Sequence, residues 1–123
     1  MARSYDQFCP IARTLDLIGE RWTLLILRDL LVFGKTRFSE FQEGLPGIPA
    51  RVLSDRLKKL TEQGLVSRRV YSEHPLRAGY YPTEKGETLR PVLGAIAQWG
   101  MAELLTERER QAVLEHIPSG SLS

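Results

Sequence analysis

Residues 37–83 read RFSEFQEGLPGIPARVLSDRLKKLTEQGLVSRRVYSEHPLRAGYYPT. Leu45-Pro46-Gly47-Ile48 interrupts two apolar patterns, and Pro and Gly there stop the short helix that carries Phe38, Phe41 and Leu45. Pro49 suits the first turn of the next helix, where its missing N–H costs nothing. From Pro49 to Gln63, Leu53, Leu57 and Leu60 fall at i, i+4, i+7, which predicts one buried stripe. The opposite face carries Arg51, Ser54, Asp55 and Lys58, and Gly64 is placed to close the helix.

After Gly64 the helical period is lost. Leu65 to Ser72 is rich in Val, Tyr and Arg, as in a strand. Glu73-His74-Pro75-Leu76-Arg77 has turn character, and Ala78 to Tyr81 can return as a second strand. Short helix, turn, basic helix and hairpin in this order predict a helix-turn-helix with a wing, which sets one helix into a DNA major groove. Arg51 and Ser54 lie in the first two turns of that helix, the end that reaches base edges. Arg37 and Lys58 join the basic surface; Arg68, Arg69 and Arg77, with His74 at the tip, are the candidate wing contacts.

Charge distribution agrees with a polyanionic partner. Residues 35–81 hold 9 Lys/Arg against 5 Asp/Glu, and the remaining residues hold 8 against 10, so the net +2 conceals a basic centre. That is the footprint expected for phosphate contacts, although charge alone leaves a chance fluctuation equally open. A length of 123 residues fits one domain, expected over 1–117, with a disordered tail over 118–123. The start, MARSYDQFCP, lacks the apolar region of a secretory signal, and Arg28-Asp29 splits the longest apolar runs. A single cysteine rules out an intrachain disulfide framework and fits a reducing compartment, so the expected location is cytoplasmic, with no membrane partner.

Outside residues 37–83, Pro10 opens a helix with Ile11, Leu15 and Ile18 that ends at Gly19. Trp22 to Phe33 is apolar almost all round and predicts a central core helix. Thr83 can cap a long helix from Glu84 to about Leu105, kinked at Pro91, with an apolar stripe of Leu89, Val92, Leu93, Ile96 and Trp99. A short helix follows from Glu107 to His116. The stripes of the first and long helices present more apolar surface than the domain obviously needs. They fit packing on the Trp22 helix and a two-fold dimer interface equally well.

These residues resemble the HxlR family of winged-helix transcriptional regulators, relatives of the MarR group. The resemblance is carried by Cys9-Pro10, by GERWTLLILRDLLVFGKTRFSEF from Gly19 to Phe41, and by LPGIPARVLSDRLKKLTEQGLVSRRVY from Leu45 to Tyr71. It continues through Pro75, Arg77, Tyr80, Thr83 and Gly86 to LRPVLGAIAQWG from Leu89 to Gly100. The family implies a mainly α fold with a small β-hairpin (α+β), winged helix-turn-helix DNA binding, and a homodimer assembled through its terminal helices. Three positions depart from the pattern. A Ser is usual where Pro49 stands, so a side-chain cap is missing; Gly79 and Pro82 replace an acidic and an aliphatic residue. Pro82 cannot donate a ladder bond, so the second strand is expected to end by Tyr81.

Cys9 is the one reactive candidate. It precedes Pro10 at a helix N-terminus, where the dipole favours negative charge, and Arg13 follows one turn on. Many members of the similar family carry a cysteine here and some use it to sense quinones, oxidants or other electrophiles, so a small electrophile or oxidant is the partner the resemblance implies. A small buried hydrophobe is the other reading. His74 and His116 lack ligand spacing with Cys9, so no metal and no cofactor is expected. Asp16/Glu20 and Glu103/Glu107 have helical spacing and read as solvated faces rather than acid–base pairs. Trp22 and Trp99 read as packing residues rather than the lining of a ligand pocket. The expectation is a DNA-binding regulator and not an enzyme; a winged-helix protein-interaction module without DNA binding is the alternative, and it would show exposed apolar residues where Arg51, Ser54 and Lys58 stand.

Overall fold

The computed structural model describes residues 8–117. Its elements are α1 (Pro10–Ile18), α2 (Arg21–Leu31), α3 (Phe38–Gly44), α4 (Ala50–Glu62), β1 (Val66–Glu73), β2 (Leu76–Pro82), α5 (Glu84–Glu87), α6 (Arg90–Leu104) and α7 (Glu107–His116). The expected tail over 118–123 lies outside the described residues. A mainly helical chain with one antiparallel hairpin is the fold anticipated from residues 37–83.

The core forms where the buried stripes of α2, α3 and α4 meet. Ile26, Leu27, Leu30 and Leu31 pack with Phe41, Leu45 and Ile48, and with Leu53, Leu57 and Leu60 of α4. Leu65 and Val66 carry this core to the root of the hairpin. Gly47 at φ 89° makes the turn between α3 and α4, a backbone shape that a side chain would strain. Pro49 is the N-cap of α4 rather than part of its first turn, and it offers no side-chain cap. At the other end Gly64 takes φ 78°. The Leu65 N–H then bonds the Leu60 carbonyl at 3.0 Å and the Gly64 N–H bonds the Thr61 carbonyl at 3.1 Å, a Schellman cap closed by the buried pair Leu60 and Leu65.

One buried charge organises this core. The Asp29 side chain is almost wholly enclosed, and its carboxylate accepts from Arg28 Nε at 2.9 Å and from Lys35 Nζ at 3.3 Å. Arg28 also donates to the carbonyl of Gly44 at the end of α3. A Cβ at Gly44 would stand 2.3 Å from the Asp29 carboxylate and 2.1 Å from Lys35 Nζ, so only glycine lets α3 end there. The Lys35 N–H returns to the Asp29 carbonyl, and next to it the Thr36 carbonyl accepts from the Tyr80 N–H at 2.8 Å. The hairpin is thereby tied to the segment that the buried acid holds.

A second polar link fixes α4. Glu20 is the N-cap of α2 and accepts from the Thr23 N–H at 2.9 Å and from Arg56 Nε of α4 at 3.0 Å. Burial alone would push its carboxyl up. The bonds from Arg56, from the Thr23 and Trp22 N–H groups and from the Thr23 hydroxyl prevail and lower it from 4.5 to about 2.

The C-terminal half departs from the sequence expectation in two ways. Pro91 does not kink one long helix; the helix is broken into α5 and α6, and Pro91 lies in the first turn of α6, where a missing N–H is harmless. Thr83 caps α5, and its hydroxyl also donates to the Gly64 carbonyl. The second strand does not end at Tyr81. Pro82 pairs with Val66 at the root of the ladder, where the N–H that a proline lacks is not required. Asp16 and Glu20 belong to different helices, as do Glu103 and Glu107, so neither is an i, i+4 pair on one helix.

These contacts generate three expectations. Asp29→Ala strands two cations against a buried void and should cost about 3 kcal/mol in urea unfolding, with Arg28 and Lys35 reaching solvent to limit the loss. Gly86→Ala places a Cβ 2.1 Å from the Leu65 carbonyl and should cost about 1–3 kcal/mol, seen as a fall of several degrees in thermal midpoint. Because the folded Glu20 carboxyl lies below its ordinary value, the stabilisation from its ionised form is whole above pH 4.5 and is lost as pH falls toward 2. Glu20→Gln should therefore lower stability at pH 7 by roughly 1 kcal/mol, and the two proteins should converge in acid titrations between pH 4.5 and 2.

Candidate nucleic-acid interface

The nine cations of residues 35–81 fall into three groups by their partners. Lys35, Arg56 and Lys59 are committed to carboxylates: Lys35 to Asp29, Arg56 to Glu20 and Asp55, Lys59 to Asp55. Arg37 and Arg69 lie over tyrosine rings, Arg37 at 5.8 Å from the Tyr71 centroid and Arg69 at 4.6 Å from that of Tyr81. Arg51, Lys58, Arg68 and Arg77 are exposed and make no ion pair among the described residues. The acids therefore neutralise the inner cations and leave the outer ones available to a polyanion.

Arg51, Ser54 and Lys58 stand at i, i+3, i+7 on the exposed side of α4, opposite the buried stripe of Leu53, Leu57 and Leu60. The face that would enter a groove is polar and basic throughout, and no large apolar residue of α4 is exposed. Asp55 lies beside this face, held by Arg56 at 2.6 Å and by Lys59 at 3.4 Å. Its carboxyl is lowered by those two cations against an opposing desolvation.

The hairpin divides the predicted wing residues between two faces. Its register sets Arg68 opposite Tyr80 and Arg69 opposite Gly79. Arg68 and Tyr80 turn toward α4, lining a groove with Ser54, Lys58, Thr61 and Glu62. Arg69 lies on the reverse face, where Tyr81 folds across Gly79; a Cβ on Gly79 would stand 2.8 Å from the Tyr81 hydroxyl. Arg68 and Arg69 are adjacent in sequence and both candidate wing contacts, and the alternation of a strand sends them to opposite faces. Glycine opposite Arg69 leaves room for the tyrosine ring on which that arginine stacks. His74 and Arg77 are exposed at the tip, where the turn is His74-Pro75 with a cis peptide bond.

Cys9 caps α1. Its sulfur accepts from the Ala12 N–H at 3.5 Å, and the residue is half-buried. The apolar residues assigned to a dimer interface are split. Ile11 is 71% exposed and Trp99 62%, and Leu15, Val92 and Ile96 are also exposed. Ile18 at 4% and Leu93 at 9% belong to the chain's own core, and Leu89 packs against it. Ile18 and Leu93 have no apolar surface left for an interface, whereas Leu89 keeps part of its own. Leu114, an apolar residue of the last helix, is exposed, as are Phe8 and Leu104; a face contributed by separate helices leaves no single periodic stripe to read. Trp22 packs on the core with Arg21 over its ring, as a packing residue should. Among the described residues, no group of three or more His, Cys, Asp or Glu suited to a metal occurs, and no helix is long and apolar enough to cross a membrane.

Comparison with known proteins gives a consistent result. The family model for the HxlR-like helix-turn-helix matches residues 17–108. The HTH-type transcriptional regulator YvaP of Bacillus subtilis (strain 168), itself uncharacterized, is 44% identical over 95 residues, covering 76% of this chain and 87% of that protein. Among solved structures, the redox regulator HypR in its oxidized form superposes with a TM-score of 0.71 at 36% identity, covering 80% of this chain and 100% of HypR. The reduced form of the transcriptional regulator YodB from B. subtilis gives a TM-score of 0.66 at 35% identity, covering 79% of this chain and 95% of YodB. The chain is a transcriptional regulator of the helix-turn-helix type and belongs to the HxlR-like helix-turn-helix family.

Proposed function

We propose that two copies of this chain bind a palindromic operator, one α4 in each of two successive major grooves, and that modification of Cys9 alters the grip. The observation that carries the DNA reading is the sorting of cations: Arg51, Lys58, Arg68 and Arg77 are left unneutralised on the α4 face and the hairpin. Phosphate contacts from Lys58, Arg68 and Arg77 supply affinity and fix orientation. Arg51 and Ser54, in the first turns of α4, read base edges, with Arg51 suited to the paired acceptors of guanine. Arg37 and Arg69, already stacked on tyrosines, and His74 at the tip add positive potential around this surface. A protein-docking module would show apolar residues on the outer face of α4, where Arg51, Ser54 and Lys58 stand.

The dimer is supported by Ile11, Leu15, Val92, Ile96 and Trp99, which stay exposed although the core is complete without them. Two-fold packing through this face would set the α4 helices roughly 34–36 Å apart, one turn of DNA. Cys9 control is supported by its place at the head of α1, whose exposed residues belong to the same face, and by the likeness to HypR. A quinone would take up the thiol as a thioether, the thiol proton passing to a ring oxygen. Diamide would accept two electrons and two protons as two thiols join; joining the two Cys9 residues needs Cα atoms within about 7 Å.

Four measurements test these assignments. Arg51→Ala should weaken the selected operator by about 1–3 kcal/mol and relax preference at one position per half-site, whereas equal losses on operator and random DNA would remove its reading role. Arg77→Ala should weaken all sequences alike and lower the slope of log affinity against log salt by roughly one per subunit. Light scattering at micromolar concentration should give a dimer that Trp99→Glu dissociates, and diamide or a quinone should change operator affinity in the wild type and not in Cys9→Ser.

A further inference from the structure

Asp55 puts a negative charge in the middle of the helix that is to meet a polyanion. Helical spacing brings four cations of α4 within its reach. Arg51 lies four residues before it, Lys58 three after it, Lys59 four after it, and Arg56 is its neighbour in the chain. Arg51 and Lys58 belong to the proposed DNA face; Arg56 and Lys59 do not. The structure gives Asp55 to the second pair. Its Oδ2 lies 2.6 Å from Arg56 Nη1 and 3.4 Å from Lys59 Nζ, while Arg51 and Lys58 make no ion pair among the described residues.

That choice has an outside cause. Residues i and i+1 of a helix do not face each other, so Arg56 meets Asp55 only if something turns its side chain. Glu20 of the α2 cap does so. Its Oε2 accepts from Arg56 Nε at 3.0 Å and is itself held by the Thr23 N–H at 2.9 Å and the Thr23 hydroxyl at 3.1 Å. One edge of the guanidinium is thereby fixed to α2, and the other is spent on Asp55. The Arg56 side chain is 24% exposed and that of Lys59 65%, so Arg56 is the firm holder and Lys59 the looser one. Without them the remaining cations at helical spacing are Arg51 and Lys58. A carboxylate paired with Arg51 would cover the forked guanidinium edge that guanine needs.

We propose that Arg56 is a positioning residue for base reading: with help from Lys59 it holds Asp55 away from Arg51 and Lys58 and so keeps both open to DNA. The assignment rests on the base-reading role given to Arg51 above. An exposed ion pair on a helix is weak, yet Arg51 can grip a base only after such a pair is broken. The effect therefore falls on the base position that Arg51 reads and spares the rest of the half-site.

The test measures fluorescence anisotropy on the selected operator, on its single-base variants and on random duplex, with circular dichroism melts to confirm folding. Arg51→Ala first identifies the position that Arg51 reads. Arg56→Gln/Lys59→Gln should then lose about threefold or more of the wild-type preference at that position and keep the preference elsewhere. Arg56→Gln alone, with Lys59 in place, should show the same pattern at smaller amplitude. Adding Asp55→Asn to the double variant should restore the preference, and Asp55→Asn alone should retain it. No loss in the double variant, loss spread evenly over all positions, or loss that persists when Asp55→Asn is added overturns the proposal and leaves Arg56 a fastening of α4 to α2. Loss in Asp55→Asn alone also overturns it, because Asp55 would then read a base itself. If Arg51→Ala shows no position-specific loss, the base-reading role fails and takes the proposal with it; if wild type does not distinguish operator from random duplex, sequence-specific recognition fails as a whole.

Discussion

The buried carboxylate of Asp29 is the constraint on which the remaining geometry hangs. Enclosing a charge is tolerable only where cations and donors surround it, and Arg28 and Lys35 meet that demand from the same helix and from the strand-like segment after it. The result is more than neutralisation. Lys35 is drawn inward, so Thr36 is placed to receive the Tyr80 N–H, and Arg28 is turned so that it holds the last carbonyl of α3. A helix, a turn and a hairpin are thus referred to one point. Hydrophobic burial supplies the driving force for this core, but it has no direction; the acid supplies direction.

The second link, Glu20 to Arg56, has a different character. It is partly exposed and so contributes little to stability, yet it spans from the start of α2 to the middle of α4. Its value lies in orientation, because α4 is otherwise held by a stripe of leucines that would tolerate some rotation about the helix axis. Asp55 completes the arrangement by pairing with Arg56 and Lys59, so the cations nearest the body of the protein are consumed internally. What remains outward is Arg51 and Lys58.

The sequence was legible where a pattern is local. The turn at Leu45–Ile48, the leucine stripe of α4, the stop at Gly64 and the hairpin all follow from spacing and from the backbone preferences of Gly and Pro. The candidate site was legible to the same degree, since exposure on α4 is the complement of its buried stripe. What stayed hidden depends on partners distant in the chain. Nothing local marks Asp29 as buried, for the pair Arg28-Asp29 reads as a charged break between apolar runs. Ile18 and Leu93 look like Leu15 and Ile96 in sequence, and only the packing of α1 and α6 decides which face is spent. Pro91 was read as a kink because Glu84–Leu105 is periodic on both sides of it, yet a break with fresh N-terminal geometry accommodates the same residues at lower cost. Arg68 and Arg69 are both candidate wing contacts in the sequence, and only the ladder register shows which face each takes.

The Schellman cap at Gly64 has a kinematic consequence. Three residues join α4 to β1: the N–H groups of Gln63, Gly64 and Leu65 all bond back into the helix and Leu65 is buried as part of its cap, while Thr83 fastens the far strand to the same cap. These bonds restrain the torsions between the helix and the hairpin. They form one rigid lever whose arms diverge from a common root, so a small rotation at the root becomes a displacement of several ångströms at the hairpin tip. A rotation of the helix therefore carries the hairpin with it.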